Sequence, residues 1–217
     1  MTALAALLLV AAGLAAAVNW VGVARDDRRL VYGAKPATLV LLVAVAAALD
    51  AEEPAVKAWF LAGLVLSLAG DVFLMLPEGR RYPVDPFLLG LGSFLFGHLA
   101  YIVGLASDHR SWVLTGLGAA IVLGAVAVIG PRVVAGVGRA SPEMRLPVLV
   151  YMAVISLMVV AAFGRTVPVG IAGALLFYAS DATLAWNRFI APSRAARIAV
   201  MVTYHLAQAG LVLSLLG

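Results

Sequence analysis

The stretch LSLAGDVFLML, residues 66–76, would read as unbroken membrane helix but for the carboxylate of Asp71 in its middle. A second run, LLFYASDATLAW at residues 175–186, carries Asp181 in the same setting. A charged side chain at the centre of a bilayer costs about 2.5–3.5 kcal/mol on insertion scales, so a helix that keeps one turns it toward a polar interior and marks a functional site by default.

The rest of the composition makes the bilayer the relevant solvent. Hydrophobic residues make up 64% of the 217, charged residues only 12%, and the mean hydropathy is +1.07. Soluble domains run near half apolar and a quarter charged, and a core of this size has no room for the excess. Polar, proline and glycine punctuation divides the chain into eight apolar runs of membrane-crossing length: 3–23, 36–50, 57–76, 86–106, 111–130, 146–163, 167–186 and 197–216. The connections are too short for a soluble domain, and helices satisfy their own backbone in lipid. The expectation is an all-α, polytopic membrane protein with eight transmembrane helices and a single integral membrane domain over 1–217. Residues 3–23 have no basic flank and exceed a leader's apolar core, so they are expected to be a retained span. Cysteine is absent, which excludes disulfides, thiolate metal sites and a thiol nucleophile. The net charge of +4 and the pI near 9.8 come from basic residues scattered through short loops, which excludes a nucleic-acid footprint.

Those basic residues orient the chain instead. Arg25, Arg28, Arg29 and Lys35 fall in the first loop, Arg80 and Arg81 in the third, Arg132, Arg139 and Arg145 in the fifth, and Arg188, Arg194 and Arg197 in the seventh. The second, fourth and sixth loops hold only Lys57, Arg110 and Arg165. Twelve against three places the odd loops in the cytoplasm and both termini across the cell's inner or plasma membrane.

The halves also echo each other. Asp71 and Asp181 are 110 residues apart, as are Lys35 and Arg145 in AKPATLV and MRLPVLV; His98 in GHLAYIVGL and His205 in YHLAQAGLVL are 107 apart. The spacing suggests an internal duplication, 1–110 and 111–217, and an even number of spans per half makes the two four-helix repeats parallel. Orientation then sets depth. Both aspartates fall toward the cytoplasmic ends of their spans, His98 and His205 near the middle, Asn19 toward the inner end of the first span and Lys35 at the inner mouth of the second. That inventory describes a cavity opening inward or into the inner leaflet.

Each residue has an ordinary alternative. A structural hydrogen bond would also retain an aspartate, but two at matched depth need two such accidents. An intramembrane histidine is as often an interhelical hydrogen-bond partner as a site group. Tyr101 lies one turn after His98, and Gln208 one turn after His205, so each pair shares a face. No histidine shares a helix with either aspartate and no Glu-x-x-His pair is present, so no metal is expected. A lysine at a membrane mouth more often snorkels to headgroups than binds a phosphate. Ser67, Ser180 and Thr183 read equally well as packing hydroxyls, GLGSFLFG (90–97) reads as helix-packing surface, and no serine sits in a Gly-x-Ser-x-Gly elbow.

Taken in order, YGAKPATLV, LAGDVFLML, FLFGHLAYIVGL and LLFYASDATLAWNRF resemble the YhhN family of eight-span membrane proteins, which includes the animal lysoplasmalogenases. The resemblance extends over essentially the whole chain. It implies hydrolysis of the vinyl ether bond of a lysoplasmalogen to a fatty aldehyde and a glycerophospho-amine, with Asp71 and Asp181 as the catalytic pair. No cofactor is implied, and the partners are the lysophospholipid substrate and membrane lipid. The chemistry suits two carboxyl groups. Protonating the alkenyl carbon gives an oxocarbenium ion, water captures it, and the hemiacetal collapses to aldehyde and alcohol. Of two carboxyls in a low-dielectric setting, one protonated and one ionised is the arrangement general acid–base catalysis uses. By depth, His98, Tyr101, Tyr178 and His205 are placed to orient water or tune the pair, and Asn19 and Lys35 to hold the headgroup. Two other readings remain at this stage: a proton-coupled transporter of small molecules or lipids, built on parallel repeats with paired acids, and a non-catalytic lipid binder.

Overall fold

A computed structural model of the chain describes residues 1–77 and 82–217; Arg80 and Arg81, counted above in the third loop, lie outside the described residues. Among the described residues the helices are α1 Ala3–Ala24, α2 Arg28–Ala48, α3 Pro54–Met75, α4 Pro86–Ser107, α5 Trp112–Ala140, α6 Arg145–Arg165, α7 Pro168–Phe189 and α8 Arg194–Leu213. Short 3-10 turns at Pro142–Met144 and Ser214–Leu216 precede α6 and follow α8. All eight are long and apolar enough to cross a membrane, as expected of an all-α, polytopic chain. Their starts are specified locally. Thr2, Asp27, Ser111 and Ser193 each accept a hydrogen bond from a backbone N–H in the first turn of α1, α2, α5 and α8, satisfying donors that a helix end otherwise leaves open.

Two boundaries depart from expectation for one reason. The second and fifth spans were expected at 36–50 and 111–130, with Pro36 and Pro131 acting as limits. Both prolines lie inside helices: α2 begins at Arg28 under the Asp27 cap, and α5 continues to Ala140. An interior proline removes one donor, but in lipid no water competes for the freed carbonyl, and neighbouring helices hold the chain helical. The longer α2 carries Lys35 about two turns inside the helix rather than leaving it at a mouth.

The described chain divides into two units, residues 1–107 with 215–217, and residues 108–214. In the first unit α1 packs on α2, α2 on α3 and α3 on α4; in the second, α5 packs on α6, α6 on α7 and α7 on α8, with α5 also reaching α7. The burial pattern inverts that of a soluble protein. α1 buries Ala5, Ala12, Ala16, Asn19 and Gly22 while Leu4, Leu7, Val10 and Leu14 face outward. In lipid the large apolar side chains gain nothing by hiding, and small residues let backbones approach. Close approaches between the helices need glycine. A Cβ on Gly63 would lie 2.7 Å from the Tyr101 ring of α4, and one on Gly173 would lie 2.8 Å from the Leu211 nitrogen of α8.

Candidate functional site

In the first unit, α2 and α3 run antiparallel, tied by the Tyr32 hydroxyl donating to the Met75 carbonyl at 3.1 Å. One turn along from that contact, Lys35 Nζ lies 3.0 Å from Asp71 Oδ1, with the two side chains 6% and 1% exposed. Two opposite charges removed from water hold each other in place, and deleting the Asp71 carboxylate strands the buried Lys35 ammonium at a cost of about 3–5 kcal/mol. Lys35 is therefore the partner of Asp71.

The α3–α4 seam sets the level of His98. Gly63 faces Tyr101, Gly70 faces Phe94, and a Cβ on Gly97 would meet the Ser67 hydroxyl at 3.3 Å. His98, next to Gly97, thus stands level with Ser67, one helical turn from Asp71. Its Nδ1 is 2.6 Å from the Phe94 carbonyl oxygen. A carbonyl can only accept, so Nδ1 carries a proton and donates it to Phe94. Tyr101 is buried with its ring edge-on to Phe60 at 5.2 Å, against Gly63, which makes it part of the helix packing first of all.

On the other side of α2, the contact of Gly22 with Leu30 and Val31 fixes the antiparallel register of α1 and α2. One turn earlier on α1, Asn19 is therefore level with Ala34 and Lys35. Asn19 is 0% exposed, and among the described residues neither its Nδ2 nor its Oδ1 has a hydrogen-bond partner; the same holds for the Ser67 hydroxyl. A buried polar group left unsatisfied costs about 1–3 kcal/mol, so the amide needs a reason to be there.

The second unit holds Asp181 differently. The Tyr151 hydroxyl of α6 donates to Asp181 Oδ2 at 2.5 Å. Tyr178, one turn before Asp181 and half-buried, is hydrogen-bonded to Ser156 of α6, so a second phenol joins Tyr151 at the α6–α7 seam. Ser180 and Thr183 donate to the backbone carbonyls of Val200 and Ala179 at 3.1 and 2.7 Å, the packing role that was the alternative for them. His205 is buried against the Tyr204 ring with centroids 5.4 Å apart, and Gln208 Nε2 is 3.5 Å from the Tyr204 hydroxyl. With Ser180 opposite Val200, His205 lies more than a turn along α8 from the level of Asp181.

Tyr151 was not anticipated. The 110-residue spacing pairs Lys35 with Arg145, and Arg145 is exposed at the start of α6. Only the rarity of a phenol in the apolar run PVLVYMAV marked Tyr151 in the sequence.

A third polar cluster closes the end of the second unit. The buried Arg165 donates from Nε to Asp108 Oδ2 at 2.9 Å and from Nη1 to the Ser214 carbonyl at 2.8 Å, while Arg110 grips Asp108 with two bonds. Burial alone would raise the Asp108 carboxyl, but the hydrogen bonds and charges of Arg110 and Arg165 outweigh it and hold it below the usual 3.8. Two open grooves of about 620 and 540 Å³ flank α5, bordered by Arg145 and by Arg132, Arg139 and Trp186 respectively; neither is lined by an aspartate. Among the described residues no three His, Asp or Glu side chains gather as a metal centre would require.

The sequence model of the YhhN family matches residues 30–215. The chain belongs to the YhhN family. This YhhN protein is 31% identical over 180 residues to a lysoplasmalogenase of Mycobacterium bovis, covering 82% of this chain and 66% of the relative. It is 33% identical over 153 residues to Lysoplasmalogenase TMEM86B of Sus scrofa and 30% identical over 153 residues to that of Homo sapiens. Those alignments cover 70% of this chain and 60% and 61% of the relatives, so the matched region spans under two thirds of their length. No solved structure matches the chain significantly.

Proposed function

We propose that this YhhN protein is a membrane lipid hydrolase that cleaves the vinyl ether bond of lysoplasmalogen-type lysophospholipids. The observation that carries the reading is the pair of intramembrane carboxyls, each held by a partner of different charge. Asp71 is ion-paired with the Lys35 ammonium, whereas Asp181 is bonded by the neutral Tyr151 hydroxyl. An ion-paired carboxyl is a carboxylate, suited to accept a proton from water and to steady a cation. A carboxyl that accepts from a neutral phenol on one oxygen keeps that contact whether its other oxygen is protonated or not, which suits a group that must deliver a proton and take it back.

In the proposed reaction the Asp181 proton goes to the alkenyl carbon β to the ether oxygen, and the double bond's electron pair makes the new C–H bond. The α-carbon and its oxygen then share a positive charge. Water adds to the α-carbon and gives its proton to Asp71. The hemiacetal collapses as its hydroxyl proton passes to Asp181 and the bond to the glycerol oxygen breaks, with that oxygen taking the proton held by Asp71. One water is consumed, aldehyde and glycerophospho-amine leave, and both carboxyls return to their starting states. His98, one turn from Asp71, and Tyr178, one turn from Asp181, support their carboxyls in this scheme, while Tyr101 and His205 pack the helices that carry the site. The lysoplasmalogenases among the relatives support the substrate class.

Two features of arrangement belong to the same proposal. The odd-numbered loops face the cytoplasm, supported by the excess of basic residues in those loops. The two units descend from one duplicated set of four spans, supported by the matching glycine approaches at Gly63 and Gly173, 110 residues apart.

A buried ion pair on spanning helices is also what a proton-coupled carrier would hold, which keeps the transporter as the second reading. Purified protein in detergent, given a defined lysoplasmalogen, separates the two. The hydrolase releases fatty aldehyde without needing two compartments; absence of aldehyde, with uptake into sealed vesicles, would turn the reading to a carrier.

A further inference from the structure

Asn19 has no place in that scheme beyond the sequence-derived idea of a headgroup contact, yet its geometry is the most demanding in the first unit. It is fully buried, both ends of its carboxamide lack a partner among the described residues, and it stands level with Lys35, which reaches from α2 to Asp71. Its neighbours do not relieve it. Thr38, one turn along α2 from Ala34, already donates to the Ala34 carbonyl at 2.8 Å. The nearest residues that α1 buries beside it, Ala16 and Gly22, have no side-chain polar atom to offer it. A carboxamide offers one donor end and one acceptor end about 2 Å apart, the match for a group that both donates and accepts: a hydroxyl.

We infer that Asn19 is a binding residue whose carboxamide seats a neutral hydroxyl beside the Lys35–Asp71 pair. A phosphate would meet the Asp71 carboxylate, and an ammonium would meet Lys35; a hydroxyl is repelled by neither. Two sources supply one. The first is the free glycerol hydroxyl of a monoalkenyl lipid, a source that rests on the hydrolase reading. The second is a resident water. In the first case Asn19 sets specificity, because a buried amide made to bond a hydroxyl rejects an analogue that lacks it.

The experiment uses the full chain in detergent as wild type, Asn19→Leu and Asn19→Ala. Leu keeps the volume, and Ala guards against a misfit from branching; thermal unfolding establishes that each variant is folded. The probes are a saturated 1-O-alkyl-2-hydroxy-glycerophosphoethanolamine, which has no vinyl bond to cleave, and its 2-deoxy counterpart, each titrated for binding. Wild type is expected to favour the hydroxyl-bearing lipid about tenfold and both variants to bind the two lipids equally, the worth of one buried hydrogen bond. That result assigns the seat to the lipid hydroxyl. If wild type shows no preference, or if the preference survives both substitutions, the hydroxyl must be a water bonded to the Asn19 amide in a high-resolution structure of the lipid-free protein. With no such water either, the proposal is overturned. Because the probes are not cleaved, a wild-type protein that releases no aldehyde removes the hydrolase reading while the titration still decides Asn19.

Discussion

Asp71 and Asp181 stand in similar strings of letters, yet they answer differently to substitution because their partners differ. Asp181→Asn removes the proton but leaves a neutral Tyr151 beside a neutral amide, so it is expected to fold normally and to lose about 100- to 10,000-fold in aldehyde release. Near-normal turnover in that variant would return Asp181 to a structural role. Asp71→Asn is a less clean test, since it strands the buried Lys35 ammonium. It is expected to lower stability by about 3–5 kcal/mol, and Lys35→Met together with Asp71→Asn should recover most of that without restoring turnover. A double variant as unstable as the single one would show that the ion pair is not what holds α2 to α3. If the triple combination with Asp181→Asn is no slower than either aspartate variant, the two carboxyls serve one reaction. That Asp71, His98, His205, Asn19 and Lys35 are buried was legible in the sequence, since a polar group in an apolar run announces itself. Their partners were not: whether Asp71 meets a lysine or a phenol depends on helix register, which residue type alone does not encode.

At the scale of the helices, packing is governed by where a side chain would intrude. Gly173→Ala places a methyl within 3 Å of the α8 backbone, which has no flexible end to swing away, so a loss of about 1–3 kcal/mol is expected. Gly124→Ala on α5 meets nothing within 4 Å and should be neutral or mildly stabilising through helix propensity. Thermal unfolding in one detergent compares the pair, and equal effects would mean the α7–α8 seam is loose. Asp108 makes a pH-dependent prediction. Its folded carboxyl titrates below 3.8, so its contribution is complete above that value and is lost as pH falls through the lower folded one. Asp108→Asn should therefore lower stability at neutral pH, by taking the carboxylate away from Arg165 and Arg110, and flatten the acid limb below about pH 4. An unchanged acid limb would shift that limb to other carboxyls. Helix number and type were plain in the sequence because runs of this length and hydropathy admit little else. The extents of α2 and α5 were not, because Pro36 and Pro131 mark ends in water but are tolerated inside helices in lipid.

For the whole molecule the open physical question is which side of the membrane the polar residues approach, and the charges bear on it. The raw loop count favours odd loops inside. The three opposing cations are each bound to a carbonyl or carboxylate, but on the odd side Lys35 is likewise held by Asp71 and Arg132 by the Val128 carbonyl, so the count and not the engagement carries the expectation. Eight crossings return the chain to the side it started from, so both termini are expected outside the cytoplasm. A naturally cysteine-free chain makes the measurement direct: single cysteines placed at Thr2 and Gly217 should react with a membrane-impermeant maleimide added from outside intact cells, and a cysteine at Arg139 should not. Labelling in the opposite sense would put Asp71 and Lys35 toward the outer leaflet, and a lipid substrate would then have to approach from there. Arg139→Glu together with Arg145→Glu tests the cause. Removing two of the uncommitted cations should produce a measurable population with Gly217 protected, whereas Lys57→Gln, in an even loop, should leave the labelling pattern unchanged.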